Sequence, residues 1–300
     1  MKALQTNNAS NLKIKQHRFV EILLKIFIWV CALLTVSFVV GIIIYILVKG
    51  IEGMSWNFIS TPAAAYPVEN YGILGNIVNT LYLIVITLVI ATPIGVGAAI
   101  YLTEYAKQGR LTKIIEFTTE TLSGIPSIIY GLFGSVFFYS VFKLNYSILA
   151  GSLTLAIMIL PIIIRTTQES IKTVPIMYRE GAMGLGATRW YMIRTVILPC
   201  SIEGILTSVI LSIGRIVGES AALIFTAGLA YNLPNITGIG DIFKKAMDQG
   251  ASLTVQLYQY AARGGEEMKY AFSTALVLVI VVLIINVLTK IIARGFKKVK

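Results

Sequence analysis

The chain has 300 residues, of which 56% are hydrophobic and only 13% charged, and its formal net charge is +11 at pH 7. Soluble domains carry about 25% charged residues, so this composition excludes a soluble globular protein and indicates an integral membrane protein. The single histidine, His17, argues against a histidine-based metal or catalytic site, because both need several groups close together.

Six apolar stretches are long enough, at roughly 20 residues each, to cross a bilayer as helices. They are Lys25–Val48, Leu74–Leu102, Leu122–Phe142, Tyr146–Ile164, Val196–Leu223 and Ala271–Ile292. Lipid offers no hydrogen-bond partners to the backbone, so each stretch is predicted to be helical. The predicted fold class is therefore an all-α integral membrane protein with six transmembrane helices.

Basic residues are distributed unequally among the segments that connect these spans. With the N-terminus placed inside the cell, eighteen Lys and Arg residues lie in inner segments, counting Lys25 and Lys290 at the inner ends of their spans, six lie in outer segments, and Arg215 alone lies deep within a span. An excess of basic residues marks the cytoplasmic side, so both termini are predicted to be cytoplasmic. The positive charge is thus explained by orientation in the membrane, and no nucleic-acid partner is needed.

The inner loop at residues 165–195 is polar and carries the signals of a short helix outside the membrane. Pro175 suits the first turn of that helix, and Gly184 and Gly186 permit a left-handed turn at its end. Thr188 is a suitable N-cap for a second helix that leads into the fifth span. These features predict a compact protrusion that another protein can bind, with an ordinary basic connector as the alternative.

The same loop resembles the cytoplasmic coupling motif of ABC importer permeases: Glu-Ala-Ala, three residues, Gly, nine residues, Ile, one residue and Leu-Pro. The matching positions are Glu180, Gly181, Ala182, Gly186, Val196, Leu198 and Pro199. Gly181 replaces an alanine and Val196 replaces an isoleucine, and both keep a small or β-branched apolar residue. The resemblance implies a coupling helix at about residues 174–190 that inserts into a groove of an ATPase subunit.

Four stretches are similar to a narrower family, the PstA-type permease subunits of phosphate ABC importers. They are Ser123–Gly134, Leu149–Ser170, Glu180–Trp190 and Gly214–Gly228. This similarity implies the type I ABC importer permease (MetI-like) fold, with the chain forming half of the path for inorganic phosphate. The expected division is a cytoplasmic tail at 1–24, a first helix and outer loop at 25–73, the permease domain at 74–292 and a basic cytoplasmic tail at 293–300.

The resemblance also implies a set of partners. They are a homologous second permease, an ABC ATPase dimer that binds ATP-Mg, and an extracytoplasmic phosphate-binding protein, assembled in the lipid of a bacterial or archaeal plasma membrane. The chain contains no Gly-x4-Gly-Lys-Ser/Thr sequence, so ATP hydrolysis is expected on the separate ATPase. No catalytic residue, metal or cofactor is expected in this chain itself.

Two charged residues of the fifth predicted span are candidates for the translocation path. Arg215 and Glu219 are four residues apart, so a continuous helix would place them on one face. An arginine deep in a membrane usually faces a partner or a water-filled path. We expect Arg215 to attract phosphate, because its planar guanidinium fits an oxyanion, and Glu219 to hold it when the site is empty. Ser220 is a candidate neutral donor beside them, and a purely structural salt bridge is the alternative.

Other functions are compatible with parts of the sequence. A permease of the same architecture could carry another oxyanion or amino acids, and a membrane scaffold would need no transport at all. An intramembrane aspartyl protease is suggested by the string Gly-Ile-Gly-Asp at Gly238–Asp241. That chemistry needs two aspartates sharing a proton inside the membrane, whereas Asp241 and Asp248 both lie in a predicted outer loop.

Overall fold

A computed structural model describes residues 2–63, 71–107, 109–230 and 239–297. Within these ranges every regular element is a helix, which confirms the predicted all-α class. The first glycine of the Gly-x-Gly-Asp string and the last three residues of the basic tail lie outside the described ranges.

Thirteen α-helices lie within the described ranges and are numbered in chain order. They are α1 Lys2–Ile51, α2 Trp56–Ser60, α3 Leu74–Ile100, α4 Arg110–Ser123, α5 Ser127–Gly134, α6 Ile148–Lys172, α7 Ile176–Gly184, α8 Arg189–Met192, α9 Leu198–Gly218, α10 Ala221–Thr226, α11 Ile239–Met247, α12 Leu253–Arg263 and α13 Met268–Lys297. π-Helical turns at Tyr101–Tyr105, Ser135–Val141 and Ile193–Ile197 continue α3, α5 and α8 without a break. The last of these turns joins α8 to α9 and gives one helix from Arg189 to Gly218.

Five of these helices, with their continuations, are long and apolar enough to cross a membrane. They are Val20–Ile51, Leu74–Tyr105, Ile148–Lys172, Arg189–Gly218 and Gly265–Ile291. A sixth crossing is formed if α4 and α5 are taken together, since the pair passes the same test despite a bend of 101°. Each of the six predicted spans therefore has a counterpart among the described helices.

The third predicted span, Leu122–Phe142, is not one continuous helix, because α4 and α5 are separated by a break at residues 124–126. Pro126 explains the break, since proline has no N–H for the helical ladder and keeps the residue before it out of the helical conformation. The hydroxyl of Tyr130 donates to the carbonyl of Leu122 at 2.7 Å. The same carbonyl accepts the N–H of Ile125 at 3.2 Å, so a backbone and a side-chain donor together satisfy this acceptor at the end of α4.

Two other spans differ from the prediction in length. α6 continues to Lys172, beyond the predicted end of the fourth span at Ile164. The fifth span begins at Arg189 rather than at Val196 and ends at Gly218, before the predicted end. The hydropathy of a stretch marks the part of a helix that lies in lipid, and it misses polar turns that stay helical outside the membrane.

The first compact unit, Met1–Lys49, consists of residues of α1. From Val20 onward its side chains are almost all exposed, and its mean hydropathy reaches 2.8. A helix that is apolar on all sides is suited to direct contact with lipid.

In the second compact unit, Gly50–Lys300, the main core lies between helices that pack side by side. It contains buried apolar residues of α3, α6 and α9, among them Leu83, Leu155, Ile159, Ile213 and Val217. Small residues allow the close approaches that membrane helices depend on. A Cβ built on Gly131 of α5 would lie only 2.8 Å from the Cα of Ala222, so α5 packs directly against α10.

Polar side chains attach the segment before α12 to the predicted outer end of α3. The side-chain amides of Asn76 and Asn79 donate to the carbonyl of Ala251 at 3.1 and 3.3 Å. The N–H of Leu253 donates to the hydroxyl of Thr80 at 2.9 Å. All five residues are buried, so these bonds replace hydrogen bonds to water and fix α12 against the second span.

Gly95 of α3 faces α6, whereas Gly97 faces open space. An added Cβ at Gly95 would lie 2.6 Å from Cγ2 of Ile163, and one at Gly97 would meet no atom within 4 Å. We expect Gly95→Ala to destabilise the protein by about 1–3 kcal/mol through overpacking. Gly97→Ala should be neutral or slightly stabilising, because alanine favours a helix. Thermal unfolding of both purified variants in detergent measures the difference, and equal melting temperatures would contradict the packing.

Candidate functional site

The inner loop contains a short helix, as predicted, but the helix begins later than expected. α7 starts at Ile176, and Pro175 stands just before it with φ −56° and ψ 141°. This ψ lies outside the helical range, so Pro175 precedes the first turn instead of forming it. The predicted coupling segment, residues 174–190, therefore holds α7, the turn after it and the start of α8.

The end of α7 is fixed by its own backbone. Gly186 has φ +83°, in the left-handed region that favours glycine. Its N–H donates to the carbonyl of Met183 at 3.0 Å, and the N–H of Ala187 donates to the carbonyl of Ala182 at 3.1 Å. These two bonds form a Schellman motif, which closes the helix at a left-handed residue. The predicted glycine turn is confirmed.

A second helix leads from this turn into the membrane. The hydroxyl of Thr188 accepts a hydrogen bond from the N–H of Tyr191 at 3.3 Å and caps α8, as predicted. The helix continues into α9, where Leu198 and Pro199 occupy the first positions. Both residues line a cavity of about 1030 Å³ together with Arg194. The Leu-Pro end of the coupling motif therefore belongs to the fifth span rather than to the exposed loop.

The remaining motif residues lie on or beside an open groove at the surface, called here the loop groove. It has a volume of about 690 Å³ and its lining is rich in small and apolar residues, among them Met177, Gly181, Ala182, Leu185, Gly186, Ala187 and Val196. Glu180 is exposed on the same helix, and Leu185 is 91% exposed. Several large apolar side chains exposed together mark a surface that binds another protein.

An apolar cluster lies between the loop and the adjoining ends of the fourth and fifth spans. Its buried members are Ile171, Val174, Met192, Ile193 and Ile197. Ala182 of α7 packs against this cluster, although no residue of α7 is itself buried. The loop is thus anchored through Ala182, while the loop groove is open at the surface.

An ion pair that sequence reasoning missed connects α7 to the second span. Nη2 of Arg179 lies 2.9 Å from Oε1 of Glu104, and Nε lies 3.1 Å from the same oxygen. The side chain of Glu104 is 7% exposed and that of Arg179 is 21% exposed. The two residues are 75 positions apart, so no local pattern relates them. The one available signal is an acidic residue at the end of an apolar span that is predicted to be cytoplasmic, where basic residues are usual.

The predicted helical pairing of Arg215 with Glu219 is wrong. α9 ends at Gly218, and Glu219 follows it with φ −85° and ψ 120°, which is extended backbone. Oε1 of Glu219 accepts a hydrogen bond from the N–H of Ala222 at 3.1 Å, so this carboxylate caps the next helix, α10, instead of continuing α9. Among the ion pairs of the described ranges, none joins Arg215 to Glu219.

All three candidate path residues nevertheless lie at one break in the fifth span. Glu219 is 9% exposed, and its carbonyl accepts a hydrogen bond from the hydroxyl of Thr254 at 3.0 Å. Arg215 is half-buried in the last turn of α9. Ser220 directly precedes α10, and its side chain makes no capping bond. Their roles in transport stay predictions.

The two aspartates that an intramembrane protease would need lie outside the spans. Asp241 belongs to α11, where its carboxylate lies 3.8 Å from the ammonium group of Lys244, and Asp248 follows the end of that helix. α11 is not one of the helices that are long and apolar enough to cross a membrane. These positions do not provide the membrane-buried aspartate pair on which that alternative depends.

The bundle of apolar helices and the exposed loop between two of them define a multi-pass membrane permease. Residues 91–298 match the model of the family described as the binding-protein-dependent transport system inner membrane component, and the chain belongs to this family. It is therefore a permease component of the ABC transporter class in the inner membrane.

Similar proteins with assigned names indicate which group of ABC transporter permeases this chain resembles. The chain is 37% identical over 207 residues to the probable ABC transporter permease protein YqgI of Bacillus subtilis (strain 168), which covers 69% of this chain and 70% of the relative. It is 34% identical over 253 residues to the phosphate transport system permease protein PstA of Pasteurella multocida (strain Pm70), which covers 83% and 86%. The predicted resemblance to PstA-type permeases is confirmed.

Solved structures confirm the predicted MetI-like fold. A bacterial alginate ABC transporter, solved in complex with a periplasmic protein bound to an alginate pentasaccharide, contains a chain that matches with a TM-score of 0.62 and 17% identity. That match covers 93% of this chain and 95% of the other. An inward-facing MetNI methionine ABC transporter matches with a TM-score of 0.55 and 18% identity, over 75% of this chain and 94% of the other. At these identities the likeness concerns the fold alone.

Replacing Gly186 should open the turn after α7. A side chain at φ +83° costs about 1–2 kcal/mol, so Gly186→Ala is expected to speed hydrogen exchange at the Ala187 amide by roughly 5- to 30-fold. Gly184→Ala is the matched control, because Gly184 is helical and has open space around it. Exchange measured by mass spectrometry on the purified permease checks this, and equal protection in the two variants would show that the turn does not depend on glycine.

Proposed function

We propose that the chain is one of two permease subunits of an ATP-driven importer of inorganic phosphate. The loop groove carries the coupling part of this proposal, because four residues of the coupling motif line it and the exposed side chain of Leu185 stands beside them. The phosphate part is supported by relatives named as phosphate transport system permeases, such as PstA of Pasteurella multocida. Both termini and the loop groove are proposed to face the cytoplasm.

In this proposal, the ATPase acts on the permease through the loop groove. ATP-Mg binds to a separate ABC ATPase dimer, and one ATPase subunit receives α7 in a complementary cleft. The exposed side chain of Leu185 is suited to be buried in that cleft, and Gly181 leaves room for close approach because no atom lies within 4 Å of an added Cβ. The chain lacks a nucleotide-binding loop of its own, so its part is to move in response to the ATPase rather than to catalyse hydrolysis.

Phosphate is proposed to pass between this chain and a homologous second permease after delivery by an extracytoplasmic binding protein. Arg215 is the cation suited to the anion, because its half-buried guanidinium offers several donors in a plane. Breaks in membrane helices often mark substrate sites in transporters, and Arg215 lies one turn before such a break. Glu219 shapes the break through its hydrogen bond to Ala222, and Ser220 is the neutral donor beside it.

Replacing the arginine tests the phosphate path. In proteoliposomes that contain the complete transporter, Arg215→Gln should lower phosphate uptake by about 10- to 100-fold, because charge-assisted hydrogen bonds to the anion are lost. Arg110→Gln, which removes an exposed arginine from α4, should leave uptake unchanged. If the wild-type transporter takes up another oxyanion or amino acids but no phosphate, the proposed substrate is wrong. Full phosphate uptake by Arg215→Gln would contradict the assigned role.

Replacing Leu185 tests the coupling surface. If this side chain is buried by the ATPase, Leu185→Ser should weaken association by roughly 10-fold or more, from the lost burial of one leucine. Leu111→Ser on α4 removes a similarly exposed leucine and should not affect association. Titration of the detergent-purified permease complex with ATPase subunits measures both, and equal affinities would remove the loop groove from the interface.

A further inference from the structure

The guanidinium of Arg179 joins three separate elements of the chain. Besides the contacts to Glu104 at the inner end of the second span, Nη1 donates to the carbonyl of Val174 at 2.6 Å. Nη2 donates to the carbonyl of Ile171 at 2.8 Å. Ile171 lies in the last turn of α6 and Val174 in the connection to α7. Arg179 therefore ties α7 both to the end of the fourth span and to the end of the second.

Arginine is chemically required for this arrangement. Its planar fork can present donors to a carboxylate and to two carbonyls at once, whereas a lysine ammonium is a single centre on a flexible stem. The carbonyl of Ile171 accepts the N–H of Val174 at 3.2 Å as well as the guanidinium, and a cation is favoured at this C-terminal end of α6 by the helix dipole. The low exposure of the Glu104 side chain, 7%, makes the carboxylate dependent on this partner.

The position of α7 depends on few other contacts. None of its residues is buried, and its apolar support is the contact of Ala182 with the cluster below. The chain itself links α7 to the fourth and fifth spans through the connections before and after it. Arg179 provides the side-chain ion pair to the second span. In the preceding turns of that span, Gly95 packs against Ile163 of α6.

We infer that Arg179 and Glu104 transmit movement of α7 to the second span, so that ATP-driven displacement of the loop shifts three spans together instead of two. The inference rests on the proposed function, in which an ATPase moves α7. Arg179 and Glu104 are positioning residues, because they touch neither phosphate nor nucleotide in this scheme. Without the ion pair, the ATPase still binds the loop groove and hydrolyses ATP, but the second span no longer follows.

The ratio of phosphate transported to ATP hydrolysed is the measurement that isolates this role. Glu104→Gln keeps the size of the side chain and an acceptor oxygen but removes the charge, and Arg179→Lys keeps the charge but removes the fork. In proteoliposomes containing the whole transporter, each variant should lower the ratio by about fivefold or more while ATPase activity persists. Glu120→Gln is the matched control, because Glu120 pairs with Arg165 between α4 and α6 at 3.5 Å but both side chains are exposed.

A purely structural ion pair predicts a different pattern. It would reduce the amount of folded transporter, so that ATPase activity and uptake fall in proportion and the ratio equals that of Glu120→Gln. Either an unchanged ratio or a proportional fall overturns the inference. If the wild-type transporter neither binds an ATPase nor transports phosphate, the proposed function fails instead, and the two failures are therefore distinguishable.

A distance measurement tests the link without relying on transport. Spin labels at Gly184 on α7 and Lys107 after the second span can be placed in a protein whose Cys31 and Cys200 are replaced by serine, since both label sites are exposed. In the complete transporter, the distance should stay the same between nucleotide-free and ATP-bound states in the wild type and should change with nucleotide in Glu104→Gln. A nucleotide-dependent distance in the wild type, or the same constancy in both proteins, would overturn the inference.

Discussion

The need to pair every backbone hydrogen-bonding group away from water decides where the helices of this chain can end. Lipid supplies no donors or acceptors, so each break near the membrane must bring its own. At the third span, Tyr130 supplies a hydroxyl to the carbonyl of Leu122. At the fifth, the carboxylate of Glu219 accepts from the N–H of Ala222, and the hydroxyl of Thr254 donates to the carbonyl of Glu219. The breaks are built features, paired by side chains that a continuous helix would not need.

The distance along the chain between hydrogen-bond partners explains which parts of the structure could be predicted from the sequence. Span positions follow from composition alone, and the turn after α7 follows from Gly186 and Thr188, whose partners are a few residues away. The break at Glu219 depends on Thr254, 35 residues further on, and the ion pair of Glu104 with Arg179 spans 75 residues. Such partners meet only after the helices have packed, so spacing along the chain gives no warning of them.

The structure changes the setting of Arg215, whose role in phosphate transport stays a prediction. It lies in the last turn of α9, one turn before the break, and it does not share a continuous helix with Glu219 as the spacing predicted. The carboxylate of Glu219 instead accepts the N–H of Ala222 and caps α10. The carboxylate therefore shapes the backbone next to Arg215, and within the described residues it forms no ion pair with the arginine.

The exposed side chain of Leu185 bears on how quickly an unassembled subunit is degraded in the cell. In the proposed transporter, a permease that has not yet met its ATPase displays Leu185 and Met177 to the cytosol, where chaperones and proteases act on exposed apolar surface. An unassembled copy would be degraded because this apolar surface is exposed, and burial of the surface in the complex would protect the assembled copies. The residues proposed to contact the ATPase would thereby also match the number of permeases to the number of ATPases.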